Sequence, residues 1–355
     1  MARELWSRSA LELASNIASK EVSSVEVVQA HLDRIAEVNP TINAVVNVLA
    51  DSAIAAAKVA DEETARGVSR GKFHGVPFTI KENIDVAGQA TTQGIPALAG
   101  AIPPQNAPVV DRMLASGAIP IGRTNLPDLG LRIHTDSTLY GRTKNPWSLD
   151  RTAGGSSGGE GAALASGMSP IGLGNDIGGS LRNPAHCCGI ASIKPSTGVV
   201  PDAQYFITED MTLAAQIMLN QGVMARTIAD VRAGLGVVAG PHPRDPISVP
   251  ATLTDLKPNE KLTVAVMAEP PGGSTHPGVA SVVRAAGEAL AKAGHRVVEV
   301  TPPEFELACL TWGAQMNNEL TPNLALLESV MGEGGVRSEE HTSELQSRVD
   351  ISYAV

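Results

Sequence analysis

The chain has 355 residues, 43% of them hydrophobic and 18% charged, with a formal net charge of −10. Those values fit an ordered protein with a sizeable core, and no run is long and apolar enough to span a bilayer. The acidic balance excludes a nucleic-acid partner, because gripping a phosphate backbone takes clustered Lys and Arg. Cys187, Cys188 and Cys309 make no disulfide framework and lack zinc-site spacing, so they read as small buried hydrophobes. The eight histidines show no HExxH or HxH arrangement, so no metal is expected.

The first ten residues contain no apolar signal core, which points to a cytoplasmic, bacterial protein. The first seventy are helical in pattern. Ser23 followed by Glu26 makes a capping box ahead of Val27, Val28, His31, Leu32 and Ile35, and Asn39-Pro40 is expected to stop that helix. An alanine-rich helix over 50–66 ends at Gly67. From Gly75 the period changes: 76–81 reads as a buried strand ending in the polar cluster Lys81-Glu82-Asn83, where a strand delivers side chains to a site. Thr91, Thr92 and Gln93 then precede Gly94 in the manner of turn residues. Helices over 108–116 and 159–167 alternate with strands over 118–121 and 170–173, and strands over 262–267 and 296–300 flank a helix over 279–293. That is the rhythm of an α/β sheet, without an internal repeat. Residues 201–221 interrupt it with Tyr205, Phe206, Met211, Leu213, Ile217, Met218 and Leu219, an insertion that either lines a substrate pocket or is ordinary packing.

The most informative stretch is 154–195, which holds two serine-bearing glycine clusters around Ser156 and Ser180. Glycines crowd a chain where backbone N–H groups must approach a ligand. Gly154-Gly155-Ser156-Ser157-Gly158 fits the GxSxG elbow of α/β-hydrolases, yet that elbow needs a strand immediately before it, and Arg151-Thr152-Ala153 does not read as one. A phosphate-cradling loop lacks its GxxxxGK[ST] lysine. What remains is a lysine at a strand end and a serine in each glycine cluster.

The flanks GVPFTIKENIDV, TAGGSSGGEGAALASG and LGNDIGGSLRNPAHCCGIASIKPSTG closely resemble the amidase signature family, and the likeness extends through 222–230. The resemblance implies a large mixed central β-sheet covered by α-helices, and a Ser-Ser-Lys triad of Ser180 as nucleophile, Ser156 as relay and Lys81 as base. It also implies a cis peptide at Gly155–Ser156 and no cofactor. A serine hydroxyl needs an adjacent base, and lysine serves only if burial depresses its pKa. The run Ile177-Gly178-Gly179-Ser180 supplies backbone N–H groups for an oxyanion. The resemblance implies, as the alternative to a plain turn, that Thr91, Thr92 and Gln93 lie in a loop that borders the pocket. Thr91, Gly155, Ser157, Met211 and Ile217 are the expected substrate-binding residues. Asp176 and Arg182 are expected to pair and shape the nucleophile loop, and Ser157 to bond Lys81 or that loop. The chain departs from the family at Asn175, where Thr is common, and at Asn183, where bulkier apolar residues are frequent.

The expected organisation is one domain over 1–336, with N-terminal helices over 1–70, a catalytic core over 71–240 and a partial C-terminal sheet-and-helix region over 241–336. The polar run over 337–348 resembles translated sequencing-adapter readthrough from a metagenomic assembly, so 337–355 reads as a non-native tail on a truncated chain; the other reading is a natural solvated tail. Function is expected to be hydrolysis of a small-molecule amide through an acyl-enzyme, extending to anilides, esters and carbamates, with a urethanase as the narrower expectation and a homodimer as the assembly. The alternatives are the glutaminase subunit of a tRNA-dependent amidotransferase and an inactive binding protein that keeps the fold.

Overall fold

The computed structural model describes residues 4–205, 212–255, 257, 260–272 and 275–331. Two compact units make up the chain, Met1–Thr252 and Leu253–Val355. The expected tail over 337–355, and Phe206 and Met211 of the apolar insertion, lie outside the described residues.

The first unit opens with α1 (Ala10–Ala18) and α2 (Ser24–Ile42), each started by a Ser/Glu capping box, Ser9 with Glu12 and Ser23 with Glu26. The stripe Val27, Val28, His31, Leu32 and Ile35 is buried as its spacing predicts. Asn39-Pro40, however, does not end α2. Pro40 deletes one N–H close to the helix end, where little ladder remains to be lost, and Asn39 takes over the termination. Its Oδ1 accepts from the N–H groups of Ala44 and Val45, both at 2.8 Å, and its carbonyl accepts from Asn43 at 2.8 Å, with Asn43 in the left-handed region.

The chain continues through β1 (Val45–Val48), α3 (Ala50–Ala65), β2 (Pro77–Lys81), α4 (Pro108–Ala115) and β3 (Ile119–Thr124). Two small hairpins follow, β4 (Asp136–Ser137) with β5 (Gly141–Arg142) and β6 (Lys144–Asn145) with β7 (Ser148–Thr152). Then come α5 (Gly158–Ala165), β8 (Ile171–Asp176), α6 (Arg182–Cys188), β9 (Ala191–Ser192), α7 (Leu213–Met218), β10 (Asn220–Ala225) and α8 (Ile228–Val238). Arg151 and Thr152 therefore lie in a strand after all. It is exposed along its whole length and pairs only within its hairpin, so it does not supply the sheet-borne strand that a hydrolase elbow requires.

Six strands form the mixed central sheet in the order β1-β3-β2-β8-β10-β9. β2 is parallel to both β3 and β8, while β1 and β10 run antiparallel to their neighbours. β2, β8 and β10 are buried at every residue, the signature of strands covered on both faces. Helix α5, of sequence GGEGAALA, lies close against β2, β3 and β8 because its residues are small. Gly172 of β8 makes the same allowance: a Cβ there would overlap the Glu160 carboxylate. β8 is three residues longer at its end than its apolar run predicts, and that extension carries Asn175 and Asp176.

In the second unit, β11 (Thr263–Val266) and β12 (Arg296–Glu299) pair in parallel around α9 (Pro277–Lys292), and α10 (Phe305–Leu320) and α11 (Leu324–Met331) follow. Gly287 lets α9 approach both strands, a Cβ there falling 3.3 Å from Val266 and 3.5 Å from Val297. No helix among the described residues is long and apolar enough to cross a membrane. Of the three cysteines only Cys188 is buried; Cys187 and Cys309 are half-buried, which corrects the expectation for those two.

Candidate active site

Lys81 is the last residue of β2 and is fully buried. Its Nζ lies 2.7 Å from Ser156 Oγ and donates to Asn175 Oδ1, also at 2.7 Å. Burial disfavours the ammonium and lowers the Lys81 pKa to about 7, against the pull of the Asp176 and Glu160 carboxylates. Arg123, buried in β3, fixes the segment after β2 by donating to the carbonyls of Glu82 at 2.9 Å and Ile84 at 2.7 Å, so Asn83 is held next to the lysine.

The peptide Gly155–Ser156 is cis. Residue 155 must be glycine on steric grounds, since a Cβ would come within 2.7 Å of both the Arg132 carbonyl and the His134 N–H. Ser156 and Ser157 are buried, whereas Ser180 is half-buried. The Ser157 N–H donates to the Ser180 carbonyl at 3.2 Å, which brings the two glycine clusters together. Ser157 Oγ reaches the Asn175 carbonyl at 3.4 Å, so it bonds to a strand end and not to Lys81.

The loop that carries Ser180 is organised by one carboxylate. Asp176 Oδ1 accepts from Gly179 N–H at 2.8 Å and Oδ2 from Leu181 N–H at 2.9 Å, and the Arg182 guanidinium donates to both oxygens at 2.9 and 3.1 Å. Burial pushes this carboxyl up, but the Arg182 and backbone bonds outweigh it and hold the pKa below the usual range. The expected ion pair is present. Because the Gly179 N–H points back to Asp176, the oxyanion run narrows to Ile177, Gly178 and Ser180 as the donors to consider. Replacing Asp176 by alanine should unpair these N–H groups and destabilise the fold by about 3–5 kcal/mol. A urea titration checks this, and an unchanged midpoint would contradict the assignment of Asp176 as the loop's anchor.

Glu160 is a second buried carboxyl. It accepts from the Thr79 hydroxyl and, at 2.7 Å, from Thr124 Oγ1, and burial raises its pKa to about 7 despite these bonds and the attraction of Lys81. Asn183 Nδ2 donates to the Ile133 carbonyl at 2.9 Å and reaches the Gly155 carbonyl at 3.4 Å, which ties α6 to the first glycine cluster.

Among the expected substrate-binding residues, Gly155 and Ser157 lie in the cluster just described. Thr91 is buried, with its N–H donated to the Ala101 carbonyl at 2.8 Å and its hydroxyl without a partner among the described residues. Ile217 is exposed on α7. Met211 lies outside the described residues. Asn83 belongs to the polar cluster expected at the end of β2, whereas Asn175 and Glu160 are site residues that spacing alone does not reveal as such. A strand end rich in amides and a lone acid in a small-residue helix are the signals that point to them. Among the described residues, no group of three or more His, Cys, Asp or Glu side chains converges to hold a metal ion.

The amidase family model matches residues 26–330. Indoleacetamide hydrolase from Bradyrhizobium diazoefficiens is 45% identical over 315 residues, 89% of this chain and 60% of that protein. A glutamyl-tRNA(Gln) amidotransferase subunit from Acidothermus cellulolyticus is 36% identical over 96% of this chain and 69% of its own length. The structure of 6-aminohexanoate cyclic dimer hydrolase superposes with a TM-score of 0.78 at 29% identity, covering 99% of this chain and 73% of that one. The chain thus spans about three fifths of the length of its indoleacetamide hydrolase relative. With a buried lysine against Ser156, a half-buried Ser180 whose carbonyl accepts from Ser157, the residue after Ser156, and a family match running from α2 to α11, the chain belongs to the amidase signature family.

Proposed function

We propose that the protein hydrolyses amide C–N bonds, with Ser180 as nucleophile, Ser156 as proton relay and Lys81 as base. The observation that carries this reading is the 2.7 Å contact between Lys81 Nζ and Ser156 Oγ at a fully buried strand end. Neutral Lys81 takes the Ser156 proton as Ser156 takes that of Ser180, and Ser180 Oγ adds to the carbonyl carbon. Negative charge then develops on the carbonyl oxygen near the N–H groups of Ile177, Gly178 and Ser180, just ahead of the α6 N-terminus, where preorganised donors stabilise it. Collapse expels the amine, which takes the proton back through Ser156. Water attacks the acyl-enzyme by the same proton path, releasing the acid and restoring Ser180.

Only neutral Lys81 can accept a proton, so activity is expected to fall below about pH 7, roughly tenfold per pH unit. Glu160→Gln removes a carboxylate that favours the lysine ammonium, and the acid limb should move to lower pH. A pH profile of kcat/KM checks both; a limb that stays put in Glu160→Gln would remove Glu160 from the electrostatics of the base.

The 45% identity to an indoleacetamide hydrolase supports arylacetamides as the first substrates to assay. The triad chemistry extends to anilides, esters and carbamates, each of which offers a carbonyl and a leaving group. A panel of indole-3-acetamide, acetanilide, a phenyl ester and a phenyl carbamate, run with wild type and Ser180→Ala, tests the class. Carbamate turnover would support the narrower urethanase reading, and strict primary-amide specificity would sink it. A second reading, the glutaminase subunit of an amidotransferase, is favoured by the 36% identity to the Acidothermus protein. Glutamine hydrolysis that appears only with partner subunits would establish it.

A further inference from the structure

We propose that the Asn83–Asn175 side-chain amide pair is the positioning device of the base, fixing which way the Lys81 amine presents its lone pair. The inference rests on the reading of Lys81 as base and deepens it. An amide oxygen can only accept and an ammonium can only donate, whereas a neutral amine has two N–H groups and one lone pair. Asn175 Oδ1, 2.7 Å from Nζ, therefore takes one N–H in either protonation state. The contact to Ser156 is the one that changes sense. In the ammonium Nζ donates to Ser156 Oγ, and in the amine the lone pair faces the Ser156 hydroxyl.

This works only if Asn175 cannot flip, and Asn83 prevents the flip. Asn175 Nδ2 donates to Asn83 Oδ1 at 3.0 Å, and Asn83 Nδ2 faces Asn175 Oδ1 at 3.5 Å, an amide-to-amide ring buried within the site. With Asn175 turned over, its NH₂ would meet an ammonium donor to donor, and in the neutral amine it would take the lone pair that must face Ser156. A hydroxyl side chain here would donate as well as accept and leave the direction open. The amide is also uncharged. The carboxylates acting on Lys81 are Asp176, which is neutralised by Arg182, and Glu160. A third carboxylate at position 175 would hold the lysine as ammonium.

The test is the pH dependence of kcat/KM for indole-3-acetamide or acetanilide, whichever the wild type turns over, together with the labelling rate of Ser180 by a fluorophosphonate, which needs no knowledge of the substrate. In Asn175→Asp the acid limb should rise by at least about one pH unit, a loss of roughly fivefold at pH 7 and about tenfold well below it, with most of the activity regained at high pH. In Asn83→Ala the amide is free to turn, so kcat and the labelling rate should fall by about tenfold with KM little changed, and Asn83→Gln should restore part of the loss. If Asn175→Asp does not fold, Asn83→Ala and Asn83→Gln carry the test. The inference is overturned if both substitutions leave the acid limb and the labelling rate within twofold of wild type. Lys81→Ala separates the two levels. Full activity there would remove the base itself, whereas an inactive Lys81→Ala beside unaffected Asn83 and Asn175 variants would remove only the amide device.

Discussion

Ser180→Ala is expected to lower kcat/KM for amide cleavage by at least about 10⁴-fold, the scale of losing a nucleophile whose partners act as one unit. The fold should survive. Ser180 is half-buried, and its carbonyl, which accepts from Ser157, is untouched by the substitution. Mass spectrometry of enzyme quenched during turnover gives an independent readout: the wild type should carry an acyl group on the peptide containing Ser180, and the variant should carry none. Activity within tenfold of wild type would place the nucleophile elsewhere. Ser156→Ala is expected to be severe but less complete, because water can stand in for a lost relay where it cannot for a lost nucleophile.

Lys81→Met should be nearly as damaging, since it keeps the bulk of the buried side chain and removes its proton-accepting nitrogen. If base and nucleophile act in one proton path as proposed, adding it to Ser180→Ala should cost little more, and a double variant far below either single one would argue for two independent routes. Stability should respond in the opposite direction. The amine is fully buried and burial lowers its pKa, so a neutral thioether of similar length relieves a desolvation cost, and Tm should stay level or rise. That outcome fits an active site that trades stability for reactivity. A marked fall in Tm would mean that the Asn175 and Ser156 contacts stabilise the fold more than solvation of the amine opposes it.

Much of the site was legible because its chemistry sits in the two glycine clusters and in the strand Val76–Lys81, whose apolar run predicts a buried lysine. The capping box at Ser23 and the Asp176–Arg182 pair follow from local spacing, and both are present. The misses share a cause: they depend on partners distant in sequence. Pro40 reads as a helix stop until Asn39 is seen capping the turn beyond it. Arg151 and Thr152 read as loop because their strand is wholly exposed and has no apolar alternation to reveal it. β8 was legible only to Leu173, because Asn175 and Asp176 are polar residues buried by contacts with Lys81, Asn83 and Arg182. Neither Asn175 on β8 nor Glu160 on α5 announces its role from spacing, since each acts through Lys81, a side chain on β2.

The end of β8 places an amide and a carboxylate side by side, and which of them meets Lys81 depends on the alignment of β8 with β2. Thr79 lies opposite Gly172 and Ile80 opposite Leu173. A slip of one residue would hand the carboxylate to Lys81 and strip the nucleophile loop of its anchor, turning a neutral base into a trapped ion pair. Strand alignment here is thus a specification of charge as well as of packing. Substitutions that shift β8 along β2 would therefore move the pH range of the proposed activity without touching a reacting atom.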